Sequence, residues 1–248
     1  MVRILGIRID EVDMAAALAF IAAAIRDQRQ DGRLRHIVTL NPEGLYLALG
    51  DAAFARILEQ ADLITADGAG LLWAAQKLGH SLPQRVTGID LLQETCTHAA
   101  REGWRIYLLG AEPGVAEQAA AQLTQNHAGL CICGWHHGYF RAEEEAVLAD
   151  IMAAAPDILF VAMGLPAQET FIAAWRERLP AAVAIGVGGS LDVIAGRVKR
   201  APRLMRQARL EWLWRLFLQP SRLPRLLVLP KFMRLVNKAA REHKRGKE

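Results

Sequence analysis

Seven short apolar runs rich in β-branched residues fall at residues 3–9, 36–40, 62–66, 104–109, 130–134, 157–163 and 181–187. Between them lie Ala- and Leu-rich stretches of helical length, among them 15–29, 69–78, 115–127, 143–154 and 168–179. A strand followed by a helix returns to the same sheet alongside its predecessor. Repeated strand–helix units therefore build parallel sheets with helices on the faces and every carboxyl end on one edge. The alternation predicts an α/β fold, a Rossmann-like, mainly parallel sheet flanked by helices. Ligands of such sheets bind at the strand-to-helix turns, so the turns are where chemistry should be sought. No internal repeat or low-complexity linker interrupts the pattern.

The rhythm stops near residue 195, and composition changes with it. Residues 196–248 hold 16 Lys and Arg against 3 Asp and Glu, a net +13, whereas residues 1–195 hold 14 against 23, a net −9. The overall charge of +4 is thus an average over a mildly acidic body and a strongly basic tail. Two parts are expected: an α/β catalytic domain at 1–195 and a basic, amphipathic C-terminal appendage at 196–248. Prolines 202, 220, 224 and 230 cut the appendage into short helical pieces. In residues 210–218, Leu210, Leu213, Trp214 and Phe217 form one apolar face, yet Trp212 and Leu216 are apolar too, so this piece needs two apolar neighbours. Beyond Pro230, Lys231, Arg234, Lys238, Arg241 and Arg245 recur at helical spacing, opposite Phe232, Leu235, Val236 and Ala239. That is the pattern of a helix lying on anionic lipid, with an ordinary solvated C-terminal helix as the alternative.

Three cysteines make no disulfide framework, which fits a reducing compartment. The N-terminus reaches Asp10 and Glu11 before any long apolar region, unlike a secretory signal, and no run approaches the ~18 apolar residues of a membrane span. Contact with a membrane is expected from its surface.

Asp67 follows the apolar run 61–65 and precedes Gly68 and a helix. A carboxylate at a strand's carboxyl end can act as a general base if it faces a cleft, and can equally serve as a helix N-cap. Thr39 and Asn41 stand at another strand end, where they orient a ligand or cap the next helix. Three glycine-rich turns follow strands at 109–114, 163–166 and 186–190, and include Gly164 and Gly188. Such turns let backbone approach a phosphate, but none is a G-x-G-x-x-G or Walker A sequence. The chain has no Asp-x-Asp, so a nucleoside-diphosphate leaving group would be met by arginines rather than by a carboxylate-held metal. Cys131, Cys133, His136 and His137 do not have a zinc spacing, and no metal site is expected there.

Taken in order, ITADGAGLLWAAQKLG, LPQRVTGIDLL, IYLLGAEPGVAEQAA, GWHHGYF, ILFVAMGLPAQE, GVGGSLDVIAGRVKRAP and LEWLWRLFLQPSRLPR resemble the WecG/TagA/CpsF glycosyltransferases over roughly residues 36–230. The resemblance implies transfer of a sugar, commonly N-acetylmannosamine or its uronic acid, from a UDP-sugar to a polyprenyl-diphosphate-linked acceptor. It also implies inversion at the anomeric carbon, no metal or other cofactor, and a peripheral location on the cytoplasmic face of the bacterial inner membrane. Carried over by position, it makes Asp67 the candidate base and Arg85 an active-site arginine. Thr39, Asn41, Gly164, Gln168, Glu169, Gly188 and Asp192 become substrate-binding positions, and Arg215, Arg222 and Arg225 become tail arginines closing over the donor diphosphate. The chain departs from the family pattern at Ala167, where a lysine is common, at Arg209, a usual glycine, and at Trp214, a usual tyrosine. A homo-oligomer is compatible with these motifs but not specified by them.

Two other classes compete. A basic-tailed α/β protein could bind nucleic acid, but Trp and Leu interleave the arginines at helical spacing and no reader motif is present. A nicotinamide-dependent oxidoreductase would use glycine turns on a parallel sheet, but its fingerprint is missing. No nucleic-acid partner is expected.

Overall fold

The computed structural model describes residues 1–202, 204–205, 211–218 and 227–245. The chain begins with strands β1 (Val2–Ile4) and β2 (Ile7–Ile9), then α1 (Met14–Asp31), β3 (Arg35–Leu40), α2 (Pro42–Gly50), α3 (Ala52–Gln60) and β4 (Leu63–Ala66). It continues through α4 (Ala69–Lys77), α5 (Gly88–Glu102), β5 (Arg105–Gly110), α6 (Val115–Asn126), β6 (Cys131–His136) and α7 (Glu144–Ala154). Next come β7 (Ile158–Ala162), α8 (Ala167–Trp175), β8 (Val183–Gly186) and α9 (Ser190–Ile194). The described part of the tail adds α10 (Glu211–Leu218) and α11 (Val228–Arg245).

Strands β3 to β8 form one six-stranded sheet in the order β4-β3-β8-β7-β5-β6, and every pairing in it is parallel. Alternate residues of each strand enter different cores. Ile37, Ile106, Leu108, Phe160 and Ile185 pack beneath α1, α5 and α6. On the opposite face Val38, Leu40 and Ile64 meet α2, α3 and α4, while Tyr107, Leu109, Leu159 and Val161 meet α7 and α8. Both faces are covered, so the strands read as continuous apolar runs rather than as alternating ones.

The run at 3–9 departs from the expected pattern. It folds back as an antiparallel hairpin pairing Ile4 with Ile7, outside the main sheet. Its two-residue turn puts both Leu5 (φ 51) and Gly6 (φ 89) in the left-handed region, as a tight hairpin requires. Asp10, just past the hairpin, donates its N–H to Ile64 O at 2.9 Å and accepts Ile64 N–H on Oδ2 at 2.8 Å. The exposed edge of β4 is thereby paired.

Local caps fix where helices begin and end. Asp13 accepts from Ala16 N at the start of α1, and Gly32 (φ 64) closes it. Thr87 accepts from Asp90 N at the start of α5, and Gly103 (φ 72) closes that one. Helix α11 packs on α2 and α4, where Phe232 and Val236 are buried with Ile4, Leu45, Leu71 and Ala75. Lys231, Arg234, Lys238 and Arg241 on the same helix are exposed. The acidic body therefore occupies the apolar side of this basic helix, and its cations face outward.

Candidate active site

The all-parallel order brings the carboxyl ends of β4, β3, β8 and β7 side by side, and most of the residues singled out in the sequence lie there. Thr39 is next to last in β3, is buried, and donates from Oγ1 to Gly186 O at the end of β8, 2.7 Å away. Asn41 caps α2, its side chain accepting Gly44 N–H at 2.8 Å, with Pro42 in the first turn. The side of Pro42 lies against the glycine turn after β4, 3.1 Å from where a Cβ on Gly68 would stand. A Cβ on Gly44 would in turn meet Leu165 of the turn after β7. The loop after β3 thus touches both the loop after β4 and the turn after β7.

Asp67 is not the cap of the helix that follows it. That position belongs to Gly68, which makes no side-chain cap bond. The Asp67 backbone is tied to β3 by its N–H to Leu40 O at 2.7 Å. Its carboxylate Oδ2 reaches across to accept the N–H of Gly88, 3.1 Å away, in the first turn of α5. The segment leading into α5 runs along the outer side of β4: Val86 N–H donates to Ala66 O at 3.0 Å and Thr65 Oγ1 donates to Val86 O at 3.1 Å. This stitching delivers Arg85, Thr87 and Gly88 to the same edge as Asp67. Gly88 has little room for a side chain, since its Cβ would stand 3.0 Å from Thr39 Oγ1 and 3.2 Å from Val187 Cα.

An ion pair braces the first turn of α5. Arg200 forms a salt bridge to Asp90, whose other oxygen accepts from Thr87 Oγ1 at 2.7 Å. Burial works against charge on Asp90, but the Arg200 and Thr87 hydrogen bonds and the nearby Arg200 and Arg85 charges outweigh it and hold its carboxyl below the usual range. The Lys199 carbonyl accepts from Trp214 Nε1 on α10 at 3.0 Å, linking the start of the tail to this cluster.

Gly164 (φ 75) and Gly188 (φ 52) both turn through the left-handed region after β7 and β8. Gln168 and Glu169 stand in the first turn of α8 and are buried. Ala167, where a lysine is common in the family resembled, is exposed. Asp192 lies in the first turn of α9, half-buried. Arg215 is carried by α10, its side chain outside the described residues. Arg222 and Arg225 lie wholly outside them, so the structure places neither against the site.

Sequence reasoning passed over Gly88 and took Gly186 only as the start of a glycine-rich turn, whereas both act through backbone and through the space they leave empty. The Thr87-x-x-Asp90 capping spacing was the available signal for the first. Farther along the edge, Cys133 is the extra residue of a bulge in β6, its Sγ donating to Ile106 O at 3.3 Å. Among the described residues no group of three or more His, Cys, Asp or Glu is arranged to hold a metal ion.

The carboxyl edge of a parallel sheet, with one carboxylate fixed on a helix N-terminus and glycine turns on either side, suits group transfer. Comparison with known proteins agrees. The profile described as "Glycosyl transferase WecG/TagA/CpsF family" matches residues 2–246. The N-acetylglucosaminyldiphosphoundecaprenol N-acetyl-beta-D-mannosaminyltransferase of Staphylococcus aureus strain NCTC 8325 / PS 47 is 36% identical over 246 residues, spanning 99% of this chain and 96% of that protein. The protein of the same name from strain MRSA252 shows the same identity and coverage. The chain belongs to the WecG/TagA/CpsF family of glycosyltransferases.

Proposed function

We propose that the chain transfers an N-acetylmannosamine-type hexosyl group from a UDP-sugar to a polyprenyl-diphosphate-linked sugar, in assembly of a cell-envelope polysaccharide. The acceptor class is suggested by the name of its Staphylococcus aureus relatives. The chemistry rests on the carboxylate of Asp67, held 3.1 Å from Gly88 N at the carboxyl edge of the sheet. A helix N-terminus is a favourable place for a carboxylate's negative charge, and the bond leaves little freedom to its position.

In the reaction proposed, Asp67 takes the proton of the acceptor hydroxyl while that oxygen bonds to the anomeric carbon from one face. The bond from carbon to the UDP oxygen breaks on the other face, and its electron pair leaves with UDP. The anomeric centre is inverted in this single displacement. Negative charge growing on the diphosphate needs cations, and the family motifs assign that work to Arg215, Arg222 and Arg225 of the tail, with Arg85 as an active-site arginine. Gly164, Gly188 and Asp192 border the donor side, and Thr39 and Asn41 the side nearer the base. No metal is required by this scheme.

The acceptor is lipid-linked in this reading, and no described helix is long and apolar enough to cross a membrane. The outward cations of α11, Lys231, Arg234, Lys238 and Arg241, the third of them paired with Glu242, are proposed to hold the protein on the anionic cytoplasmic surface of the bacterial inner membrane. The test is a transfer assay with UDP-N-acetylmannosamine and a short-chain lipid-diphosphate N-acetylglucosamine, reading UDP release and the new disaccharide together. A range of other UDP-sugars is screened beside it. Disaccharide formed with inverted configuration supports the reading, and absence of transfer from every UDP-sugar to that acceptor contradicts it.

A further inference from the structure

Glu169 is a fully buried carboxyl that the transfer reaction does not use. Its Oε1 accepts from Gln168 Nε2 at 2.8 Å, and its Oε2 has no hydrogen-bond partner. Burial pushes its pKa up to about 8, against which the hydrogen bonds from Gln168 and backbone work only in part. A carboxyl in this position is largely protonated at neutral pH. With no exposed surface, it touches no substrate; what it touches is Gln168.

Gln168 is also almost wholly buried, and both ends of its amide are engaged. Oε1 accepts two backbone N–H groups, from Gly164 at 3.1 Å and from Gly188 at 3.0 Å. Those glycines belong to the turns after β7 and β8, so a single carbonyl oxygen ties together two walls of the cleft. A side-chain amide has two orientations of nearly equal shape. The reversed one would set an NH2 group against two backbone donors and leave both unsatisfied. The acceptor on Glu169 distinguishes the orientations, because only the observed one gives it a donor. The pair fits in place because residue 186 is glycine: a Cβ there would overlap Glu169 Oε1 and Gln168 Nε2. The Gly186 carbonyl is the one that Thr39 bonds, so the clamp lies directly behind the β3 side of the cleft.

We infer that Glu169 is a positioning residue: by accepting from Gln168 Nε2 it fixes the orientation in which Gln168 clamps the turns at Gly164 and Gly188, and so sets the shape of the donor side of the cleft. This replaces the direct substrate contact that the family motif suggests for Gln168 and Glu169. Its consequence for turnover rests on the proposed transferase reaction, whereas the clamp is a property of the folded chain alone.

The experiment compares Glu169→Gln, which keeps an acceptor oxygen, with Glu169→Met, which keeps the length and removes it, and with Gly186→Ala, which crowds the pair from the other side. Each is made in the full chain. Amide hydrogen exchange at Gly164 and Gly188 is read without substrate, and kcat/KM is read separately for UDP-sugar and acceptor. Glu169→Met is expected to speed exchange at both glycines and to lower kcat/KM for the donor by about tenfold each, the scale of one lost buried hydrogen bond, with KM for the acceptor little changed. Gly186→Ala should do the same, and Glu169→Gln should stay close to the parent. Unchanged exchange and donor kinetics in folded Glu169→Met would overturn the inference. So would a Glu169→Gln variant as impaired as Glu169→Met, since charge rather than an acceptor would then be what matters. If Glu169→Met does not fold, Gly186→Ala carries the same test, and rapid exchange at both glycines in the parent protein would by itself exclude the clamp. Protected glycines in a protein that transfers no sugar would support the clamp and contradict the transferase reading, and free exchange in an active protein would do the reverse.

Discussion

The carboxylate of Asp67 and the backbone N–H of Gly88 are hydrogen-bonded at 3.1 Å, although 21 positions separate them in the chain. The bond joins the loop after β4 to the first turn of α5. The orientation of the proposed base is therefore set by a helix whose start is fixed by Thr87 and Asp90, and which Arg200 ties to the beginning of the tail.

Gly88→Ala tests that dependence without touching a reacting group. The added methyl would press on Thr39 Oγ1 and on the Val187 backbone, at 3.0 and 3.2 Å, and a backbone atom cannot swing aside. Overpacking of this kind costs about 1–3 kcal/mol. The variant is expected to melt at lower temperature and to lose more than tenfold in kcat, an effect on the order of that of a small misplacement of a reacting group. Kinetics equal to the parent would show that the α5 N-terminus does not govern the base.

The two sides of α11 should separate under mutation. Phe232 is buried in the core shared with α2 and α4, so Phe232→Ala is expected to cost roughly 3–5 kcal/mol in chemical denaturation. Exchanging Arg234, Lys238 and Arg241 together for glutamate should leave the denaturation midpoint nearly unchanged, because these side chains are exposed. It should abolish co-sedimentation with anionic liposomes, at about 1 kcal/mol for each cation near the surface. Undiminished liposome binding by the triple variant would place membrane contact elsewhere.

Glu169 gives stability a pH dependence of known sign. Its carboxyl titrates from about 8 in the folded protein against 4.5 when unperturbed, because burial disfavours the charge. The folded state thus holds the proton longer, and the contribution of this group is fully present below 4.5 and is lost as pH rises through about 8. Glu169→Gln should flatten denaturation midpoints across that window relative to the parent. An equal decline in both proteins would assign it to other groups.

How much of this was legible beforehand differs from element to element. The alternation of apolar runs and helical stretches leads to the parallel sheet, because both sheet faces are covered and the runs are therefore mostly apolar along their whole length. The run at 3–9 reads as one strand because the turn of the hairpin uses Leu5 in a left-handed conformation, which leucine rarely adopts. Asp67, Thr39 and Asn41 stood out as polar residues at strand ends. Whether Asp67 caps its own helix or reaches another depends on how the segment before α5 is stitched to β4, and no local pattern carries that. Gly88 and Gly186 contribute no side chain, so their roles come from what lies opposite them. Glu169 adjoins Gln168 in the P-A-Q-E motif, and no local pattern carries its complete burial or its hydrogen bond to that neighbour.

The most direct measurement of the base assignment is the single-turnover rate of sugar transfer by Asp67→Asn, set beside its affinity for UDP. Asparagine keeps the size of the side chain and an oxygen that can accept Gly88 N–H, so the fold and donor site should persist. Loss of the proton acceptor should lower the chemical step by about 10²–10⁴-fold, with UDP affinity close to the parent's. A folded Asp67→Asn protein that transfers sugar at the parental rate would contradict the mechanism.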